Sequence, residues 1–402
     1  CRAPRRHLRV VRVVDRPGVI MVGWDGWLEE SLHALEGRDL LRRLEEVEPL
    51  DAVHVRAGGR DLTLFSSNDY LGLSHHERVR RAAAEASEEV GLGPRGSALV
   101  CGYTSHHRAL EEELARLKGC EAALLCPTGF ATNLAVLSSL GDSQTAIFSD
   151  ELNHASIIDG CRLARRRGAT LEVYPHTDVD ALADLLEASE AERKVIVTDA
   201  VFSMDGDLAP LEELARLKEE YEALLVVDEA HATLVFGEEG GGVAEHFGLE
   251  EAVDIHVGTL SKAVGAHGGF VATSARWRRW ILNRGRAFVF STAQPVPVVE
   301  AARAAVRTVR DEPSIRRNLW ARVDQLGARL GRDLESPIVP IVLGEEARAL
   351  EASRRLFERG FHVTAIRPPT VPKGTSRLRV ALSAAHTGRD VRRLADAIEE
   401  LT

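Results

Sequence analysis

The sequence predicts an α/β fold, in which a large domain with a mainly parallel seven-stranded sheet precedes a smaller C-terminal α+β domain. Three observations predict it. From about Glu77 onward, short apolar runs alternate with amphipathic stretches of helical period. The apolar runs have the length of buried strands and fall well short of the ~20 residues that span a bilayer. The last third of the chain has a different texture. Alternating strands and helices imply right-handed crossovers, so helices should cover both faces of the sheet.

Seven apolar runs read as strands that are buried on both faces: 122–125, 146–148, 170–173, 195–198, 224–227, 255–257 and 269–272. Amphipathic helical patterns lie between most of them, at 109–118, 133–140, 155–167, 181–188 and 211–221. In such sheets ligands bind at the carboxyl ends of the strands. We therefore look for functional side chains directly after these runs.

The chain divides into four predicted segments. Residues 1–23 form a basic tail, and residues 24–75 form a helical arm, with a helical pattern over 24–47, and a small hairpin around Gly58 and Gly59. Residues 76–312 form the large domain, and residues 313–402 form the small one. The small domain follows a long helical pattern that begins at 296 and continues to 330. Its predicted strands are 338–343, 361–366 and 377–382, and its predicted helices are 346–358 and 390–401.

Composition excludes several classes of protein. The 402 residues are 45% hydrophobic and 28% charged, which is typical of an ordinary folded protein rather than a disordered chain. The net charge of −10 argues against nucleic acid or an anionic membrane as a partner. Five scattered cysteines form no metal-ligand spacing and indicate a reducing compartment. We expect a soluble intracellular protein without a metal, whether in cytoplasm, peroxisome, plastid or mitochondrion.

A lysine follows one of the predicted strands. Residues 259–262 (TLSK) come directly after the run at 255–257 and precede Gly265, Gly268 and Gly269. A lysine at the mouth of a buried strand can form an imine with a carbonyl cofactor, and neighbouring hydroxyls can bond a phosphate. The same pattern would also suit a surface lysine in a glycine-rich loop.

An aspartate ends the strand before it. Asp228 follows the apolar run at 224–227, where a carboxylate is costly unless it is paired. A protonated pyridine nitrogen is such a partner, and His231 could reach a neighbouring ring hydroxyl. Asp228 could instead cap the next helix. Because the two strand ends are expected to be neighbours, we expect Asp228 and Lys262 to lie close together.

Three more segments follow predicted strands. Residues 127–130 (PTGF) open a helix, whose free N–H groups suit a phosphate. Residues 150–154 end in His154, a flat ring that could stack on a heteroaromatic group, and residues 201–207 follow the run at 195–198. Together these pieces predict a pyridoxal 5'-phosphate (PLP) site. The GxGxxG match at 91–96 follows a polar helix instead of a strand, so it indicates a loop.

At this point the order of the motifs resembles a known family, the α-oxoamine synthases, which are fold-type I PLP enzymes. The resemblance extends from about Leu28 to the end of the chain. The stretches that carry it are 65–73, 93–97, 126–133, 259–270, 290–292 and 365–372. Within the family they most resemble the plant type of the branch that forms 8-amino-7-oxononanoate.

The resemblance implies roles at matching positions. The implied catalytic residues are Lys262, as the imine-forming amine and base, Asp228, His231 and His154. The implied cofactor contacts are Gly129, Phe130 and Thr259 at the phosphate, Ser203 beside the cofactor, and Ser291 and Thr292 across a homodimer interface. The implied substrate contacts, besides His154, are Asn68 and Arg367 at the amino acid carboxylate and Thr370 and Arg42 on the acyl-donor side.

The implied reaction condenses L-alanine with a pimeloyl thioester of coenzyme A or a carrier protein and releases carbon dioxide, as in biotin synthesis. Glycine C-acetyltransferase, 5-aminolevulinate synthase and serine palmitoyltransferase chemistries are alternatives within the family. A non-catalytic scaffold subunit is an alternative of another class, but such a subunit would be expected to lose Lys262 or Asp228. One residue departs from the family: Leu234 stands where glycine is usual, and a side chain there would strain a turn that needs positive φ.

Overall fold

The computed structural model describes residues 23–42 and 44–401. The predicted basic tail lies outside the described residues, apart from Gly23. The chain separates into two units, residues 1–44 and 45–402, which we describe one at a time. In the first unit helix α1 spans Trp24–Glu36. The prediction of a helical pattern up to residue 47 was wrong, because the chain turns at Gly37 and Asp39 takes φ 55°.

The second unit contains the remaining elements. Its strands are β1 (Val47–Pro49), β2 (His54–Ala57), β3 (Arg60–Leu64), β4 (Ala122–Cys126), β5 (Thr145–Asp150), β6 (Thr170–Tyr174), β7 (Arg193–Asp199), β8 (Leu224–Asp228), β9 (Ile255–Thr259), β10 (Gly269–Thr273), β11 (Ile338–Gly344), β12 (Phe361–His362), β13 (Thr364–Ile366) and β14 (Ser376–Ala381). Its α-helices are α2 (Glu77–Val90), α3 (Ser105–Leu117), α4 (Gly129–Leu140), α5 (Ala155–Arg165), α6 (Val179–Ala188), α7 (Leu211–Glu220), α8 (Val243–His246), α9 (Ala275–Arg284), α10 (Arg286–Val289), α11 (Val296–Asp311), α12 (Ser314–Leu330), α13 (Glu346–Glu358) and α14 (Gly388–Glu399).

The seven predicted strands form one sheet in the order β4-β10-β9-β8-β7-β5-β6, which confirms the predicted fold class. The pairs from β9 through β8, β7 and β5 to β6 are parallel, and β10 is antiparallel to both of its neighbours. Every residue of β5, β9 and β10 is buried, because helices cover both faces. Burial on both faces was wrongly predicted for β6, an edge strand with three exposed residues.

Two predicted elements are divided in the structure. The helical pattern from 296 to 330 forms α11 and α12, which separate at Glu312 and Pro313 because proline has no N–H for the helical ladder. The single strand predicted at 361–366 forms β12 and β13, which join different sheets. Strand β12 pairs with β3, whereas β13 pairs with β14 in the sheet β11-β14-β13.

The turn after β8 contains the residue that departs from the family. Leu234 has φ 64° and is 1% exposed, and its N–H donates to the carbonyl of Gly240 over 2.8 Å. The expectation of a positive φ at this position is confirmed. Across residues 23–42 and 44–401, no helix is both long enough and apolar enough for a bilayer crossing.

Candidate active site

Acidic residues collect at the carboxyl edge of the main sheet. Strands β5, β7 and β8 end at Asp150, Asp199 and Asp228, and Asp199 lies directly opposite Asp228 in the parallel ladder. Strand β9 is the next neighbour, with Val257 opposite Asp228, and the chain reaches Lys262 three residues after β9 ends. The two predicted strand ends are therefore adjacent, as expected.

Lys262 is the centre of a hydrogen-bonded chain. Its Nζ atom, which is partly buried, lies 2.7 Å from Nε2 of His231, and Nδ1 of the same ring lies 2.6 Å from the hydroxyl of Tyr70. Burial lowers the pKa of Lys262 to about 8, even though the charges of Asp228 and Asp199 act to raise it. Burial, reinforced by the charge of Lys262, holds the pKa of His231 well below its ordinary value. His231 is thus a neutral ring that accepts from the lysine and donates to Tyr70.

Asp228 is held on both carboxylate oxygens. Asn133 Nδ2 donates to Oδ2 over 2.6 Å, and the N–H of Ala230 donates to Oδ1 over 2.9 Å. Asn133 Nδ2 also lies 2.9 Å from the hydroxyl of Ser156, which is 2.7 Å from Nδ1 of His154. Asn133 therefore joins the predicted ring-nitrogen partner to the predicted stacking ring.

A second carboxyl group lies beside Asp228. Asp199 is buried, and burial together with the charge of Asp228 raises its pKa well above the ordinary value. Its Oδ2 atom accepts a 2.7 Å hydrogen bond from the backbone N–H of His154. Burial lowers the pKa of His154, so its ring is neutral. The site therefore places one ionised carboxylate next to one neutral carboxyl group and a neutral ring.

The predicted phosphate residues lie at the start of α4. Thr128 caps this helix, with its hydroxyl accepting from the N–H of Ala131 over 3.0 Å. A side chain at Gly129 would begin only 3.2 Å from Cβ of Thr259, so glycine allows the two segments to approach. Phe130 lies at the same helix start, with its ring centroid 6.4 Å from that of His154. Free N–H groups and a helix dipole suit an anion here.

The small C-terminal elements add an arginine to the site. Arg379 of β14 is buried and donates to Oδ1 of Asn68 over 3.1 Å and to the hydroxyl of Tyr70 over 3.3 Å. Its Nε atom donates to the backbone carbonyl of Ser203 over 2.6 Å. Asn68 and Ser203 are thereby brought to the network that contains His231.

Five predicted residues are not joined to this network by the hydrogen bonds that the structure shows. Ser291 donates to the carbonyl of Ala287 over 2.7 Å, and Thr292 pairs with Ser97 in an isolated β-bridge. Arg367 and Thr370 follow β13, where Thr370 N–H donates to Arg367 O. Arg42 is exposed in the first unit. The roles assigned to these five residues remain predictions.

Sequence reasoning missed Tyr70, Asn133, Asp199 and Arg379. Tyr70 and Asn133 lie inside stretches that carried the family resemblance, and Asp199 ends a predicted strand as Asp228 does. Those positions were signals. Arg379 had none, because an arginine in a strand of a small domain usually indicates a solvated face.

Comparisons with known proteins agree with this geometry. The model of the family "Aminotransferase class I and II" matches residues 60–398. An 8-amino-7-oxononanoate synthase from Arabidopsis thaliana is 53% identical over 371 residues, which cover 88% of this chain and 78% of the relative. A serine palmitoyltransferase from S. paucimobilis with bound PLP is 28% identical and has a TM-score of 0.88, covering 95% of this chain and 98% of that one.

A crystal structure of 8-amino-7-oxononanoate synthase from Francisella tularensis is 27% identical, with a TM-score of 0.71 over 85% of this chain and 96% of that one. The matches extend over both the main sheet and the C-terminal elements. The chain therefore belongs to the aminotransferase class I and II family, within which its listed sequence relatives are 8-amino-7-oxononanoate synthases.

Proposed function

We propose that this chain is a PLP-dependent acyltransferase of biotin biosynthesis, which condenses L-alanine with a pimeloyl thioester. The products are 8-amino-7-oxononanoate, carbon dioxide and the free thiol. The observation that carries the proposal is the placement of Lys262 beside His231 and near Asp228, in a chain 53% identical to a synthase of that name.

The residues present fit PLP at each of its functional groups. Asp228, buried and bonded by Asn133, supplies a fixed negative charge for a protonated ring nitrogen. His231 would bond the ring hydroxyl, and His154 presents a flat neutral ring for stacking. The start of α4, with Gly129 against Thr259, offers N–H groups and a hydroxyl to the phosphate. Asn133 Oδ1 is buried without a partner among the described residues, as expected where a polar group completes the site.

The residues of the chain divide the work of the reaction. PLP, when bound, supplies an aldehyde for amines and a ring that stabilises negative charge at the substrate α-carbon. The Lys262 amine, with its pKa near 8, is substantially neutral at physiological pH and so can take and return a proton at the α-carbon. Asn68 and Arg367 would hold the alanine carboxylate, and Thr370 and Arg42 would line the acyl-donor side.

The active form would be a homodimer. In that assembly Ser291 and Thr292 of one protomer would reach the phosphate bound by its partner. A sedimentation measurement of the holoenzyme that gives a monomer at micromolar concentration would contradict this part of the proposal.

The reaction is tested by assaying purified protein with alanine, glycine and serine against acetyl, succinyl, pimeloyl and palmitoyl thioesters, each as coenzyme A and carrier-protein forms. We expect the highest kcat/KM for alanine with the pimeloyl group, with Lys262→Ala as the inactive control. Preference for serine and palmitoyl, the substrates named by the serine palmitoyltransferase neighbours, would overturn the substrate assignment. No turnover with any pair, in protein that binds PLP, would favour the scaffold alternative.

A further inference from the structure

The residue after Asp228 belongs to a second cluster of buried charge. Glu229 is 0% exposed, and its Oε2 atom lies 2.5 Å from Nζ of Lys118, which is 1% exposed. The same oxygen lies 3.2 Å from Nδ1 of His256, and Oε1 accepts from the N–H of Ala244 over 3.0 Å. Three donors from α3, β9 and α8 thus hold one carboxylate.

The cluster is strongly charged in its native form. Burial would raise the pKa of Glu229, but the charge of Lys118 and the bond from His256 lower it to about 2. Burial would lower the pKa of His256, but hydrogen bonds with Cys120 and Glu229 raise it to about 9. Gly242 has φ 120°, and a side chain there would begin 2.3 Å from Oε1 of Glu229, so glycine is required for the carboxylate to fit.

Glu229 is also a hub of backbone bonds between Asp228 and His231. Its N–H donates to the carbonyl of Val257 over 2.8 Å, and its carbonyl accepts from the N–H groups of Ala232 and Thr233. Consecutive residues at the end of a strand point to opposite faces. A tether on Glu229 therefore fixes the rotation of the segment that presents Asp228 and His231.

We propose that Glu229, Lys118 and His256 form a positioning cluster that sets the orientation of Asp228 and His231 toward the cofactor. Glu229 is a positioning residue in this account, because its contacts are with Lys118, His256 and Ala244. The inference relies on the proposed function only for the identity of PLP. If the wild-type protein bound no PLP, the proposed function would fail and not the positioning of this segment.

The test separates positioning from simple stability. Glu229→Gln leaves the buried Lys118 charge without its partner, so we expect a lower melting temperature of the apoprotein. We also expect PLP affinity to fall about tenfold, the lower end of what outer groups contribute to a bound metal. In Glu229→Gln with Lys118→Met no charge is left unpaired. We expect this double variant to recover the melting temperature while PLP affinity stays low and the pH at which the bound-cofactor absorbance changes stays displaced.

Glu113→Gln is the matched control, because Glu113 is also buried and paired with two arginines, Arg303 and Arg307, but carries no tether to Asp228. It should lower the melting temperature without changing PLP affinity. If the double variant recovers both properties, or if Glu229→Gln folds and binds PLP normally, the proposal is wrong. Should both Glu229 variants fail to fold, His256→Asn decides, since it keeps the ion pair: wild-type affinity and absorbance would overturn the proposal, and weaker binding would support it.

Discussion

Two clusters of buried charge lie on either side of the end of β8, and they treat charge in opposite ways. In the positioning cluster three donors surround Glu229, its pKa falls to about 2, and the pKa of His256 rises to about 9. In the active-site cluster the pKa of Lys262 falls to about 8 and that of Asp199 rises well above its ordinary value. The first cluster stabilises every charge, whereas the second keeps acids and bases near neutrality.

The difference lies in how many partners each group has. The same residue types occur in both clusters, so burial alone does not make a reactive site. Where each charge meets an opposite charge and hydrogen bonds, the group is inert and structural. Where burial exceeds compensation, the neutral amine or the neutral acid becomes available for proton transfer.

The largest effect should come from the amine itself. Lys262→Ala should lower kcat by roughly 10³-fold or more, because the covalent nucleophile and base are lost together. Lys194→Ala is the control, since Lys194 begins β7 at the opposite end of the sheet. Steady-state assays of both variants check this. Comparable losses in the two would break the distinction between the site and the remaining lysines.

The two adjacent carboxyl groups should differ next. Asp228→Asn removes an ionised group held by Asn133, so we expect kcat/KM to fall by about 10²-fold, a typical scale for one positioned acid or base. Asp199 has a raised pKa and is mainly protonated, so Asp199→Asn is nearly isosteric and should cost only a few-fold. Equal losses, measured by kcat/KM at pH 7.5, would show that both carboxyl groups are ionised.

Stability against pH should separate the clusters by sign. His256 has its pKa raised from 6.5 to about 9, so its stabilisation is complete below pH 6.5 and is lost between pH 6.5 and 9. Glu229 stabilises above pH 4.5, and this is lost as pH falls toward 2. Lys262 acts oppositely: its lowered pKa makes stability recover as pH rises from 8 to 10.5.

Denaturant unfolding of the apoprotein at pH 6 and pH 9.5 measures these terms. Between the two values the wild type should lose on the order of 3 kcal/mol more than His256→Asn, given 1.36 kcal/mol for each pKa unit. Lys262→Met should change the pH dependence in the other direction. Identical pH profiles for the three proteins would contradict the contrast between the clusters.

The smallest effect concerns the turn after β8. Leu234→Gly relieves a left-handed backbone conformation worth about 1 kcal/mol but removes a fully buried leucine worth about 3 kcal/mol, so unfolding should require roughly 2 kcal/mol less. Glu222→Gly is the matched comparison, with φ 50° at an exposed position, and it should stabilise by about 1 kcal/mol. Equilibrium denaturation of both decides. Stabilisation by Leu234→Gly would mean that strain outweighs burial.

Much of the fold could be predicted because its sheet has a strong pattern. Seven apolar runs separated by helical periods specified seven strands, and placing Asp228 and Lys262 after two of them put both at one edge. The pattern failed at the borders. Residues 361–366 form one apolar run, but which sheet each half joins depends on the partners β3 and β14, which are remote in sequence.

The site was predictable where chemistry coincides with strand ends and unpredictable where it depends on tertiary contacts. Nothing local to Arg379 shows that it bonds Asn68, Tyr70 and Ser203. The burial of Lys118 is equally hidden, because a lysine that ends an amphipathic helix normally faces water. Both depend on residues more than a hundred positions away.

The central claim is that the Lys262 amine bonds the cofactor, and one measurement tests it most directly. Purified holoprotein is reduced with borohydride and digested, and the peptides are mapped by mass spectrometry. We expect the pyridoxyl group on Lys262 and on no other lysine. A label on Lys118 or Lys194, or a protein that binds PLP without retaining it after reduction, would contradict the account.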